Sequence, residues 1–109
     1  NIFTPVRLLV VGVIQTRRLL RKLRMSEYFV YILKCADGTL YTGITTDVAR
    51  RIHEHNNTRK AAKYTRSRRP VSLGYSNLIG SKSDAMKEEY RIKKMSRDEK
   101  LCIIKENSN

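Results

Sequence analysis

Acidic residues, cysteines and long apolar runs are all scarce in this chain. Ten Asp and Glu stand against 23 Lys and Arg, a formal charge of +13 over 109 residues. A surface of that sign draws in phosphate polyanions or anionic membranes. Only Cys35 and Cys102 are present, with no CxxC pair, and His53 and His55 have no cysteine pair at zinc-ligand spacing to join, so neither a zinc framework nor a disulfide scaffold is indicated. Free thiols in a reducing, cytoplasmic setting fit instead. The length allows one compact domain with a thin core and no second globular unit. The longest apolar stretch, Val6 to Ile14, is about half the ~20 residues of a membrane-spanning helix, so no membrane span is expected.

Residues 1 to 24 form a distinct leader. It carries Arg7, Arg17, Arg18, Arg21, Lys22 and Arg24 without an acid, and its charge follows the apolar stretch, the reverse of a secretory signal. Met25-Ser26-Glu27 directly precedes the first strand pattern, so the leader reads as a fragment, a processed remnant or an over-long start. The competing reading is an amphipathic arm in which Leu19, Leu20 and Leu23 pack on a partner or membrane while the arginines meet phosphates. The folded domain is expected over residues 25 to 109.

Within that body, Tyr28 to Lys34 is rich in aromatic and β-branched residues. Asp37-Gly38 is a turn signal, and Thr39 to Thr45 is a second such run, which together predict a hairpin. Asp47 can cap a helix whose inner face is Val48, Ile52 and His55 and which frays near Asn56-Asn57. Thr58 to Arg69 lacks a sustained apolar period and reads as a basic binding loop, leading through Pro70 into a strand from Val71 to Leu78. Ser83 is the expected cap of a helix from Asp84 to about Met95. One face of that helix holds Met86, Tyr90 and Lys93, the other Ala85, Glu89 and Ile92. Ser96 or Asp98 starts a last helix around Leu101, Ile103 and Ile104. With no internal repeat or low-complexity tract, the order ββαβαα predicts a small α+β domain. At its centre stands a three-stranded antiparallel sheet flanked by helices.

Tyr31 and Tyr41 fall on the two hairpin strands, where tyrosines are ordinarily half-buried packing residues with wet hydroxyls. Arg51 comes eight residues beyond Gly43, and His55 follows one helical turn later. On these residues the chain resembles the GIY-YIG nuclease family. Val30-Tyr31 is similar to the second half of the first motif, with Phe29 where glycine is commonest. Tyr41-Thr42-Gly43 is similar to the second motif, and Arg51, His55 and Glu89 fit the remaining pattern. The likeness covers nearly all of residues 27 to 105. It is nearest to small stand-alone bacterial members, through Tyr64 to Pro70 and Glu89 to Lys93, and extends to nuclease domains that cut branched DNA.

That resemblance implies a metal-dependent DNA endonuclease. Tyr31 would take a proton from the attacking water, Tyr41 would orient water or phosphate, and Arg51 would neutralise charge on the phosphate. His55 would relay a proton or stabilise a phenolate. Glu89 would hold a single Mg²⁺ or Mn²⁺, which keeps several waters and takes a substrate oxygen. Gly43 would allow close approach of a backbone. Read singly, Arg51 is a solvated charge, His55 a packed imidazole, and Glu89 a partner for Lys93 four residues on. The family's late asparagine has only Asn107 and Asn109 as candidates and is not assigned.

Lys63, Tyr64, Arg66, Arg68 and Arg69 make a basic tract with an interleaved aromatic, suited to phosphate contacts and to stacking on an unpaired base. No recognition helix is evident, so selectivity for branched, single-stranded or end structures is expected rather than a sequence code. A repair or recombination role and a separate targeting protein partner fit so small a nuclease. The alternative is a non-catalytic nucleic-acid-binding adaptor that keeps the fold.

Overall fold

The computed structural model describes residues 27–108, and the leader with its amphipathic-arm reading lies outside the described residues. Strand β1, Tyr28–Lys34, explains the architecture. Val30, Tyr31, Ile32 and Leu33 are each exposed by 1% or less. Successive strand side chains point to opposite faces, so a strand with four consecutive buried residues must be covered on both sides. β1 is accordingly the middle strand, with β2 (Leu40–Thr45) on one side and β3 (Ser72–Gly80) on the other, both antiparallel to it. Two register shifts interrupt the β1–β3 ladder, between Tyr28 and Phe29 and between Ile32 and Leu33.

The two faces of β1 seed two cores. Val30 and Ile32 meet Ile92 of α3 (Lys82–Lys93) and Ile104 of α4 (Arg97–Glu106). Tyr31 and Leu33 meet Cys35 and Val71, with Ile52 of α1 (Val48–Asn57) packed against them. Each fully buried aliphatic chain contributes about 1.5–3 kcal/mol through removal from water. The second core is where the hydroxyl of a tyrosine must be accommodated.

The expected α+β architecture and element order hold, with refinements. Ser81, not Ser83, caps α3: its hydroxyl accepts from the Asp84 N–H at 3.1 Å, three residues on, and the helix begins at Lys82. β3 runs two residues past Leu78 to Gly80, whose φ of +125° is open to glycine and turns the chain into that cap. The basic loop contains a helical turn, α2 (Lys63–Arg66), organised around Ala62, whose carbonyl accepts from the Thr65 and Arg66 N–H groups. Local sequence did not reveal it because tertiary burial of Ala61 and Thr65, rather than an apolar period, holds it in place. Ser96 starts α4 through a reciprocal capping box with Glu99. In α3, Ala85 and Ile92 are fully buried, whereas Met86 and Tyr90 are 51% and 61% exposed. Among the described residues no helix is long and apolar enough to cross a membrane.

Candidate active site

Tyr31 lies opposite Gly43 in the β1–β2 ladder and Leu33 opposite Tyr41, so the two phenols occupy diagonal positions on one face, ring centroids 6.4 Å apart. A Cβ at position 43 would stand 2.6 Å from Tyr31 Oη and 2.7 Å from Cζ. What approaches the glycine backbone closely is therefore the phenol of Tyr31.

His55 is the one buried residue of α1 and is wholly inaccessible. Its two nitrogens are both engaged: Nε2 lies 2.9 Å from Tyr31 Oη and Nδ1 lies 2.8 Å from Thr65 Oγ1. The Thr65 hydroxyl donates its hydrogen to the Ala62 carbonyl at 3.0 Å, so it can only accept from Nδ1–H. Burial pulls His55 down to about 4, helped by the nearby Arg51 charge, and the imidazole is neutral. With its one proton on Nδ1, Nε2 is left as an acceptor for the Tyr31 O–H. The direction of the chain is thus fixed: Tyr31 to His55 to Thr65 to the Ala62 carbonyl. Burial also pushes Tyr31 up to about 12, against the opposing influence of Arg51, and raises Tyr41.

The other predicted residues surround this chain. Arg51 is partly buried and donates through Nη1 to Glu54 Oε1 at 3.0 Å and to the Lys60 carbonyl at 2.8 Å, which ties it to the basic loop. Its positive charge bears on Tyr31, Tyr41 and His55 alike. Glu89 sits on α3, 3.6 Å from Lys93 Nζ, and its negative charge raises both phenols, so it stands within electrostatic reach of them. No group of three or more metal-ligating side chains occurs among the described residues. A lone, partly exposed carboxylate beside two phenols suits a hard cation that keeps most of its waters. Asn107 donates to the Ile103 carbonyl and caps α4.

An aromatic row leads from the buried cluster to the surface. Tyr41 is 5.3 Å from His55 and stacks with Tyr64 at 5.9 Å, and Arg68 Cζ lies 3.9 Å over the Tyr64 ring. Tyr64 and Lys63 are exposed. The three arginines of the predicted binding tract are partly committed to the fold. Arg66 donates to the Arg59 carbonyl, and Arg68 donates to Asp37 and to the Tyr64 carbonyl. Arg69 donates to the carbonyls of His55 and Thr58 at the end of α1. Sequence reasoning missed Thr65, whose only local signal is a small hydroxyl residue in a basic tract. It also missed Asn56, which clamps Val71 by accepting its N–H at 2.7 Å and donating to its carbonyl at 3.0 Å.

Residues 27–101 match the model of the GIY-YIG catalytic domain. A UPF0213 protein of Desulfotalea psychrophila is 58% identical over 78 residues, covering 72% of this chain and 71% of that protein. Another, of Syntrophus aciditrophicus, is 53% identical over 83 residues, 76% of this chain and 95% of its own. The solution NMR structure of a UPF0213 protein from Bacillus halodurans is similar at a TM-score of 0.50 and 44% identity, over 76% of this chain and 87% of that one. The two motif strands, the arginine and histidine of α1 and the glutamate of α3 all fall inside the matched segment, and the chain belongs to the GIY-YIG catalytic-domain family, close to the bacterial UPF0213 proteins.

Proposed function

We propose that this protein is a metal-dependent nuclease that hydrolyses phosphodiester bonds in DNA, with a preference for substrates containing unpaired or branched structure. The observation that carries the reading is the hydrogen-bonded chain Tyr31–His55–Thr65, in which a buried phenol donates to a neutral imidazole of assigned tautomer. Such an arrangement has little use in a purely structural core, where a phenylalanine and an aliphatic residue would fill the space without polar groups to satisfy.

In the proposed reaction, a water placed beside Tyr31 gives its proton to Tyr31 Oη as the phenolic proton passes to His55 Nε2. The resulting hydroxide bonds to phosphorus, the P–O bond to the leaving strand breaks, the leaving oxygen takes a proton from solvent, and His55 returns its extra proton through Tyr31 to solvent, which restores the neutral pair. At rest the proton stays on tyrosine, because Tyr31 lies near 12 and His55 near 4. The transfer becomes favourable only as positive charge gathers at the phenol and stabilises the phenolate. Arg51 supplies one such charge and neutralises the pentacoordinate phosphate, and Tyr41 orients the phosphate by its hydroxyl. Glu89 would hold the divalent ion, Mg²⁺ or Mn²⁺, which supplies Lewis-acid polarisation of the phosphate. General-base assistance of this kind is worth about 10²–10⁴ in rate.

The test is cleavage of labelled single-stranded, duplex, flap and four-way DNA with Mg²⁺ or Mn²⁺, with Glu89→Gln as control. Metal-dependent scission that disappears in the variant is expected. Tight binding with no scission by either protein sinks the nuclease reading and leaves the adaptor.

A further inference from the structure

A hollow of about 220 Å³ lies at β2, an outer strand of the sheet. Four elements far apart in sequence wall it: β2 with Leu40, Tyr41 and Thr42, α2 with Tyr64, α3 with Lys93 and α4 with Lys100. Leu40 packs against the core under α3 and α4, and Tyr41 against the core on the opposite face. The coverings of both sheet faces therefore meet at this edge.

The lining contains no carboxylate. Its polar side chains are two phenols, a threonine and two lysines. Lys100 is partly buried, and among the described residues no acid lies within ion-pairing distance of it. Lys93 pairs with Glu89 at 3.6 Å, but its side chain is half exposed, and such a pair contributes little. Two cations rooted at one hollow repel each other and give up part of their hydration, a cost that a bound anion offsets. The strand edge adds to this, because alternate N–H groups of an outer strand have no strand partner and concavities there suit anions. Position then identifies the anion. Tyr41 lines the hollow and stands diagonal to Tyr31 with ring centroids 6.4 Å apart, so an anion in the hollow is a near neighbour of a phosphate at the two phenols. Negative groups repeat in this way along one nucleic-acid strand, at every nucleotide.

We infer that the hollow is a second phosphate subsite, in which Lys93 and Lys100 hold the phosphate that adjoins the scissile one on the same strand. The inference rests on the proposed nuclease reading and deepens it. The protein grips two successive phosphates, so its substrate is a polynucleotide strand and not an isolated phosphodiester. A contact of this kind fixes the strand's register against the phenols and adds affinity without reading a base. Lys100 is thereby a substrate-binding residue supplied by neither of the motif strands nor by the helix that carries Arg51 and His55.

The experiment measures binding of small probes without turnover. The isotope-labelled full chain in EDTA is titrated with thymidine 3′,5′-bisphosphate, with each of the two thymidine monophosphates and with inorganic phosphate, and amide NMR shifts report the affinities. The bisphosphate is expected to bind about tenfold more tightly than either monophosphate, the scale of one additional charge-assisted contact, and to shift amides of β2 and α4 together. Lys100→Ala brings the bisphosphate down to the monophosphate level, and Lys100→Arg keeps the advantage. Lys105→Ala removes an equal charge from an exposed position of the same helix and leaves the advantage intact. Inorganic phosphate that binds as tightly as the bisphosphate overturns the inference and makes the hollow a site for a free anion. Equal losses in Lys100→Ala and Lys105→Ala also overturn it, since they mark a diffuse attraction. Scission of labelled DNA with Mg²⁺ is read separately. A bisphosphate preference that depends on Lys100 without scission keeps the two-phosphate grip and sinks the nuclease, while scission without that preference does the opposite.

Discussion

Thr65 is the residue whose role is most sharply defined by geometry and least visible in sequence. Its hydroxyl receives the Nδ1–H of His55 and so keeps Nε2 free for Tyr31. Thr65→Val preserves volume but leaves a buried Nδ1–H without an acceptor, a cost of about 1–3 kcal/mol that the imidazole escapes by moving its proton to Nε2. Cleavage is expected to fall by about 10- to 100-fold with folding intact, and Thr65→Ser is expected to restore most of it, as read by single-turnover kinetics and thermal melting. His55 carries a second expectation. Its folded value near 4 lies below the ordinary 6.5, so between those values the unfolded chain takes up a proton that the folded chain refuses. Stability is therefore full above about pH 6.5, declines as pH falls towards 4, and levels off below, with a loss on the order of 3 kcal/mol. Denaturant titrations across that window check it, and His55→Gln should flatten the acid limb. Tyr31, Tyr41, Arg51 and His55 were legible in the sequence because two strands and one helix bring them together at fixed spacing. Thr65 was not, because it meets His55 only after the chain has closed a ten-residue loop.

At the scale of elements, the join between α1 and β3 sets the position of the site. Asn56 brackets Val71 with two hydrogen bonds, and Arg69 covers the last carbonyls of α1, one of them that of His55. A basic residue inside a basic tract has no local mark that distinguishes a brace from a phosphate contact, and so all the tract's arginines looked alike in sequence. The structure separates them by what they touch. Arg69→Ala is expected to lower stability by about 1–3 kcal/mol, through the loss of charge-assisted bonds to carbonyls, with a small change in DNA affinity. Lys63→Ala is expected to do the reverse. Paired melting and filter-binding measurements on the two variants distinguish them, and equal effects on affinity would refute the bracing role. The hairpin strands were legible because aromatic and β-branched residues lie on both sides of the Asp37-Gly38 turn, whereas β3, largely exposed and without such a run, had its end at Gly80 missed by two residues. The start of α3 was misjudged by two residues because both Ser81 and Ser83 have capping chemistry, and only the backbone turn at Gly80 decides between them.

For the whole molecule, the excess of 23 basic over 10 acidic residues makes salt the natural probe of function. Binding to DNA is expected to weaken steeply with ionic strength, with a slope of log K against log salt of about −0.9 per phosphate neutralised. Lys63→Ala and Lys100→Ala should each flatten that slope by about one phosphate, and Arg69→Ala should leave it unchanged. If neither lysine moves the slope, the polyanion approaches a different face from the one that bears Tyr41 and Tyr64. Net charge pointed to an anionic partner, polyanion or membrane surface, from composition alone, but the face such a partner meets depends on which side chains the fold has already consumed, and composition does not contain that.

The close fit of Tyr31 against Gly43 also bears on inheritance. The phenol fills the space that any side chain at position 43 would need, so the two motifs behave as one heritable unit split across the hairpin. A library that randomises Gly43 alone will return glycine. One that randomises both positions can escape, but only through chains that have surrendered the Tyr31 hydroxyl along with the steric conflict. Exchange of a single strand between relatives is safe only when the incoming strand carries its half of the pair, which ties the permissible crossover points of this small domain to the chemistry at its centre.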